Sequence, residues 1–171
     1  MGQQYDIWEN LMRLRPEFYK AFGETAIMLG ISGIVSIIIG GLLGVWLYTT
    51  GKNQIFANRR VNHILGFTID FIRAFPFVIL MIVMMKPTRM IMGTTFGPVA
   101  ASISLSVAAM FYFARLVEQN LKEVPRGVVE AAQAMGASPR TIIFKVLLSE
   151  ARSGLVLSIT ILMIAILGES A

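Results

Sequence analysis

The sequence predicts an all-α, polytopic helical membrane protein, on three observations. Hydrophobic residues make up 56% of the 171, and mean hydropathy is +0.70, too apolar for an ordinary soluble domain of this length. Four apolar stretches are long enough to cross a hydrocarbon core of roughly 30 Å. The polar segments after the first and third of them are rich in Lys and Arg, the pattern that sets membrane orientation. The net charge of +5 does not point to nucleic acid, because apolar runs interrupt the basic residues. With no Cys and His63 alone, a Cys/His metal cluster and a disulfide framework are excluded. Gly51-Lys52-Asn53 lacks the upstream Gly and the Ser or Thr of a phosphate loop, so the chain is not expected to bind ATP itself.

Met1 to Lys20 is mixed in charge, with Ile7, Trp8, Leu11 and Met12 on one helical face and Pro16 ending the pattern. An interfacial helix is expected there, and not a signal peptide. The first span is Ala26 to Tyr48, which at 1.5 Å per residue reaches about 34 Å. Within it Ser32, Ser36, Gly40 and Gly44 recur every four residues as a smooth stripe. Packing inside the same subunit is the favoured use of that stripe, with dimerisation as the alternative. Thr49 to His63 carries Lys52, Arg59 and Arg60 and no acidic residue, so it is expected on the cytoplasmic side. His63 is expected to be a surface residue at a helix entry.

The second span, Ile64 to Met85, contains Asp70, Arg73 and Pro76. Asp70 and Arg73 are one turn apart and can pair, and Pro76 weakens or kinks the helix beyond them. The three residues read either as a buried ion pair beside a packing kink or as a pathway or hinge element. Lys86 to Phe96 follows as an external loop, and the third span runs from Gly97-Pro98 to about Val117. There Ser102 with Ser106, and Ser104 with Ala108, are small-residue pairs on neighbouring faces, suited to close contact or to a polar pathway. Arg115 to Arg152 holds Arg115, Lys122, Arg126, Arg140, Lys145 and Arg152 against four glutamates, and this second basic segment is also expected to be cytoplasmic. The fourth span, Ala151 to Ala171, reaches about 31 Å. Met1 and Ala171 would then both lie outside, with Glu169 near the outer end. Ser158, Thr160 and Glu169 are expected to lack protein contacts.

Between the last two spans a short segment is specified as helix, turn, helix. Pro125 suits a first helical position, and Val128, Ala131, Ala132 and Met135 recur as one weakly apolar face. Gly136 occupies the position after the helix, where positive φ is common, while Ser138 caps the next helix and Pro139 fits its first turn. Small Ala side chains allow a partner's backbone to come close, and Glu130 can fix orientation. The segment reads as a helix for insertion into a groove, or as an ordinary amphipathic surface helix.

Glu130-Ala131-Ala132, three residues, Gly136, then nine residues to Val146 and two more to Leu148 resembles the EAA loop of ABC importer permeases. Ser149 stands where that family usually has proline. The resemblance implies a cytoplasmic coupling loop over 121–150, docking into a cleft of an ATPase subunit through Glu130, Ala131, Ala132, Met135 and Gly136. Phe71 to Phe77, Pro87 to Thr95, Ala114 to Glu118 with Asn120, and Val129 to Ser138 with Lys145 to Leu148 are similar to one branch, the methionine importer permeases, over roughly residues 25–171. That resemblance implies a type I ABC importer permease fold in one domain over 1–171, in a bacterial cytoplasmic membrane. It implies a homodimer with two ATPase subunits that hold ATP and Mg, an extracytoplasmic methionine-binding protein, and no enzymatic activity in this chain. The alternatives are a permease for another amino acid or small organic ligand, and a non-transporting helical membrane adaptor. Members of the branch have five spans; with room for four, the chain is expected to be a truncated product. Its 11 Met residues do not bear on the cargo, because flexible apolar side chains suit any membrane interior.

Overall fold

The computed structural model describes residues 7–170, with side chains from Leu14 onward, and among these residues it contains helices and no strand. Helix α1 (Ile7–Val35), a π-helical turn (Ser36–Gly40) and α2 (Gly41–Thr49) follow one another without a break. The apolar stretch Leu14–Thr49 is 36 residues long, about 54 Å at helical rise. Pro16 lies inside α1, so it does not end a separate interfacial helix as the sequence suggested. An interior proline costs a helix one hydrogen bond and a ring clash, about 3 kcal/mol or more, and the 29-residue helix continues through it. The part of that expectation resting on residues 1–6 lies outside the described residues.

The small-residue stripe of this first rod is buried within the chain against α5 (Pro98–Glu123). Ser32 Oγ donates to the Ser102 carbonyl at 3.1 Å and Ser36 Oγ to the Ser106 carbonyl at 3.4 Å. A Cβ on Gly40 would collide with the Met110 carbonyl. One on Gly44 would lie 2.5 Å from the Ala114 carbonyl oxygen and 2.7 Å from Val117 Cβ. The side-chain-free positions are therefore what bring the two backbones together.

Asn58 opens α3 (Arg59–Arg73), its side chain accepting the N–H groups of Arg60 and Val61. His63 is exposed in the first turns, as expected. The helix stops at Ala74, and α4 (Phe77–Met92) departs at 106° from it. The expected single kinked span from Ile64 to Met85 is thus two helices. Pro76 explains the depth of the break: it has no N–H to donate, it disfavours helical geometry in Phe75, and its own ψ is 138°. Among the described residues, three helical stretches are long and apolar enough to cross a membrane individually, and a fourth span is present if the bent pair counts as one. The expected loop from Lys86 to Phe96 is also mostly helix, because α4 continues through Pro87 to Met92 and ends at Gly93 with φ 75°.

Helix α5 is the axis of the molecule. Gly97 with φ 107° and Pro98 at the first helical position start it, and it continues six residues past Val117. Its buried Leu105, Ala109, Phe113, Val117 and Leu121 form the main core with Leu162 and Ile166 of α9 (Arg152–Ser170). Asn120 Nδ2 donates to Ser158 Oγ at 2.7 Å, and Thr160 Oγ1 to the Val156 carbonyl at 3.3 Å. Those two hydroxyls therefore have partners, contrary to expectation: α9 packs its small polar face on α5, and Thr160 turns back on its own helix.

Candidate functional site

The turn between the last two spans is built as its residues require. Helix α6 (Arg126–Ala134) follows Pro125, which is its cap residue and not the first helical position as expected. The Gly136 N–H donates to the Gln133 carbonyl at 2.9 Å and the Ala137 N–H to the Ala132 carbonyl at 3.0 Å. This is a Schellman closure, with Gly136 at φ 77° in the left-handed position. Ser138 Oγ then accepts the Thr141 N–H at 3.3 Å, opening α7 (Pro139–Thr141) with Pro139 in its first turn. A π-helical turn (Ile142–Leu147) and α8 (Leu148–Glu150) lead on to α9.

The apolar side of α6 is divided by burial. Ala132 is buried and, with Val129 behind it, anchors the helix on Ile142, Ile143 and Leu147. Val128, Ala131 and Met135 point away from that core, and Met135 is 81% exposed. Ala132 is only about 40° from Val128 on a helix, so the four positions share a side, and burial divides it: Ala132, on the edge toward Val129, meets the core, while Val128, Ala131 and Met135 look outward. Glu130 is exposed as well. The outward stripe has the spacing of a helix laid into a partner's groove.

The second predicted group lies where α3 meets α5. Asp70 and Arg73 are within 3.7 Å of each other, but the main partner of Asp70 is Arg115. Arg115 Nε donates to Asp70 Oδ1 at 3.1 Å and its Nη2 donates to Oδ2. Arg115 Nη1 also donates to Glu118, whose other carboxylate oxygen lies 2.6 Å from Lys122 Nζ. Arg73, Asp70, Arg115, Glu118 and Lys122 thus form a continuous chain of charges descending α5. The Asp70 side chain is 52% exposed, so it is not the buried pair of the first reading; Glu118, at 5%, is the buried member. Sequence reasoning missed Arg115 and Glu118 as partners of this group, although their spacing of three, and of four from Glu118 to Lys122, marks a helical ion-pair ladder.

Arg73, the last residue of α3, also stands 5.6 Å from the centroid of the Tyr112 ring. Beyond it, next to the break at Pro76, a cavity of about 400 Å³ opens between Phe77, Tyr112, Leu162, Ile166 and Glu169. Among the described residues no hydrogen bond or ion pair links Asp70 or Arg73 to the α6 residues, so the two predicted groups are separate features. No group of three or more His, Asp or Glu side chains among the described residues is placed to hold a metal ion.

Comparison with known proteins places this architecture. Residues 36–171 match the family described as the binding-protein-dependent transport system inner membrane component. The chain is 46% identical over 148 residues to the D-methionine transport system permease protein MetI of Yersinia pestis, covering 86% of this chain and 68% of that one. It is 43% identical over 148 residues to the protein of the same name from Escherichia coli K12. Among solved structures it matches an inward-facing conformation of the MetNI methionine ABC transporter with a TM-score of 0.88 at 41% identity, over 94% of this chain and 73% of the other.

Proposed function

The chain belongs to the family of binding-protein-dependent transport system inner membrane components, and from that membership we propose that it is the membrane permease of an ATP-driven importer whose cargo is methionine. The coupling site is the outward stripe of α6: Val128, Ala131 and Met135 enter a groove on an ATPase subunit, and Glu130 fixes their orientation. Ala132 and Gly136 serve the same site from behind, the first by seating α6 on the core and the second by closing it. The observation that carries this reading is that α6 exposes an apolar stripe on one side while Ala132 locks its other side to the π turn leading into α9. A push on α6 therefore reaches the spans through packed side chains.

In this reading 121–150 is a coupling loop within one permease domain, and it faces the cytoplasm together with the basic loop after α2. Its ATPase partner holds ATP and Mg, a second copy of the permease completes the pathway, and a methionine-binding protein delivers cargo from outside. The break at Pro76 is the hinge, since α3 is tied to α5 through Asp70 while α4 leaves at 106°. The test is reconstitution of the permease with its ATPase and binding protein in vesicles. ATP-dependent uptake of labelled methionine, competed by unlabelled methionine and not by other amino acids, is the expected result. Competition by another amino acid in preference to methionine would reassign the cargo.

A further inference from the structure

The cavity beside the Pro76 break combines features that the coupling role does not use. Its two charged side chains have opposite sign and come from different helices: Arg73 ends α3, and Glu169 lies in the last turn of α9. Between them the walls are apolar, with Phe77, Leu162 and Ile166, and Tyr112 beneath the guanidinium. At about 400 Å³ the space is within the roughly 300–1,000 Å³ of ordinary small-molecule sites. Glu169 makes no ion pair or hydrogen bond among the described residues. A carboxylate on a spanning helix is costly unless a cation or water meets it, and such residues mark ligand paths.

We propose that this cavity is a binding site within the membrane for a zwitterionic α-amino acid, with Arg73 taking the carboxylate, Glu169 the ammonium group, and the Phe77–Leu162–Ile166 wall the apolar side chain. The assignment rests on the importer reading above and adds the residues that recognise its cargo. Arg73 suits the role because its fork is held from two sides, by Asp70 at 3.7 Å and by the Tyr112 ring, leaving donors for a planar carboxylate. The opposed charges also discriminate. A cargo lacking either head group would forgo one of the two charge-assisted contacts.

The test is binding to the purified permease–ATPase complex in detergent, without the external binding protein. The probes are labelled methionine, its desamino analogue, which keeps the carboxylate, and its decarboxylated amine, which keeps the ammonium group. Glu169→Gln is expected to weaken methionine and the amine by at least about ten-fold and to leave the desamino acid unchanged. Arg73→Gln is expected to do the reverse, weakening methionine and the desamino acid while sparing the amine. Equal loss for all three probes in Glu169→Gln, no loss in that variant, or no methionine binding by the unaltered complex would overturn the site. Methionine uptake with the binding protein present is measured in parallel. Uptake without such binding overturns this site alone, whereas absence of uptake overturns the cargo reading and the site with it.

Discussion

Arg115 holds Asp70 through two nitrogens, Nε to Oδ1 at 3.1 Å and Nη2 to Oδ2, across 45 residues of sequence. The acid of α3 is thereby fastened to the central helix, and the same guanidinium reaches down α5 to Glu118. One side chain thus joins the element next to the break at Pro76 to the end of α5 that leads into α6.

The two acids on Arg115 should differ in their contribution. Glu118 is buried and meets two cations, so Glu118→Ala leaves Arg115 half-satisfied in a poorly solvated site and is expected to cost about 3 kcal/mol. Asp70→Ala removes a half-exposed partner and is expected to cost about 1 kcal/mol. Thermal unfolding in detergent should rank the variants in that order; equal losses would mean that burial does not set the value of the charge chain.

Helix contact at the glycine stripe predicts a sharp positional effect. Gly44→Ala places a methyl against the Ala114 carbonyl and Val117, and is expected to cost about 1 to 3 kcal/mol through forced separation of α2 and α5. Gly41→Ala meets only Phe113 Cε1 at 3.8 Å and should be neutral or slightly stabilising. Matched melting curves check this, and similar losses at both positions would contradict the contact.

A third expectation couples α5 to α9. A Cβ on Gly154 would fall 2.9 Å from Asn120 Cγ, so Gly154→Ala should destabilise the unaltered protein. In an Asn120→Ala background that clash is gone, although the Ser158 hydrogen bond is gone too. The double variant should therefore be more stable than the sum of the single losses by at least about 0.5 kcal/mol. Strict additivity in denaturation would show that the two positions do not touch.

At the proposed coupling site, Met135→Asp and Glu130→Ala alter exposed side chains and should leave insertion and melting nearly unchanged. Both are expected to reduce copurification of the ATPase, with Glu130→Ala losing about 1.5 to 3 kcal/mol if its contact is charge-assisted. Gly136→Ala instead strains the turn itself, by about 1 to 2 kcal/mol, because φ is 77° there while the space around it is open. Normal ATPase recovery with all three variants would remove α6 from the interface.

Much of the site was legible because it depends on local backbone chemistry. Gly136, Ser138 and Pro139 act through their own φ preferences and nearby N–H groups, so their roles follow from order in the chain and reappear in the Schellman closure and the Ser138 cap. Which side of α6 faces out was not legible. A weak run of Val and Ala at helical spacing is compatible with two rotations of the helix, and only the packing of Ala132 on Ile142 and Ile143 selects one.

By itself the sequence determined the class and marked the first helix for a close backbone contact: unbroken apolar length demands helices in a membrane, and Ser32, Ser36, Gly40 and Gly44 form a smooth stripe. The choice of α5 of the same chain as its partner came from the tertiary structure. The sequence also located a backbone defect at Pro76, since a missing N–H is a property of the residue. Tertiary structure decided how far that defect opens, to 106°, because α3 is fastened to α5 and α4 packs on it independently. Tertiary structure likewise decided that Asp70 belongs first to Arg115 and not to Arg73. Charges choose partners by distance in space, and a guanidinium from α5 offers Asp70 two aligned donors where its own helix offers a single contact at 3.7 Å.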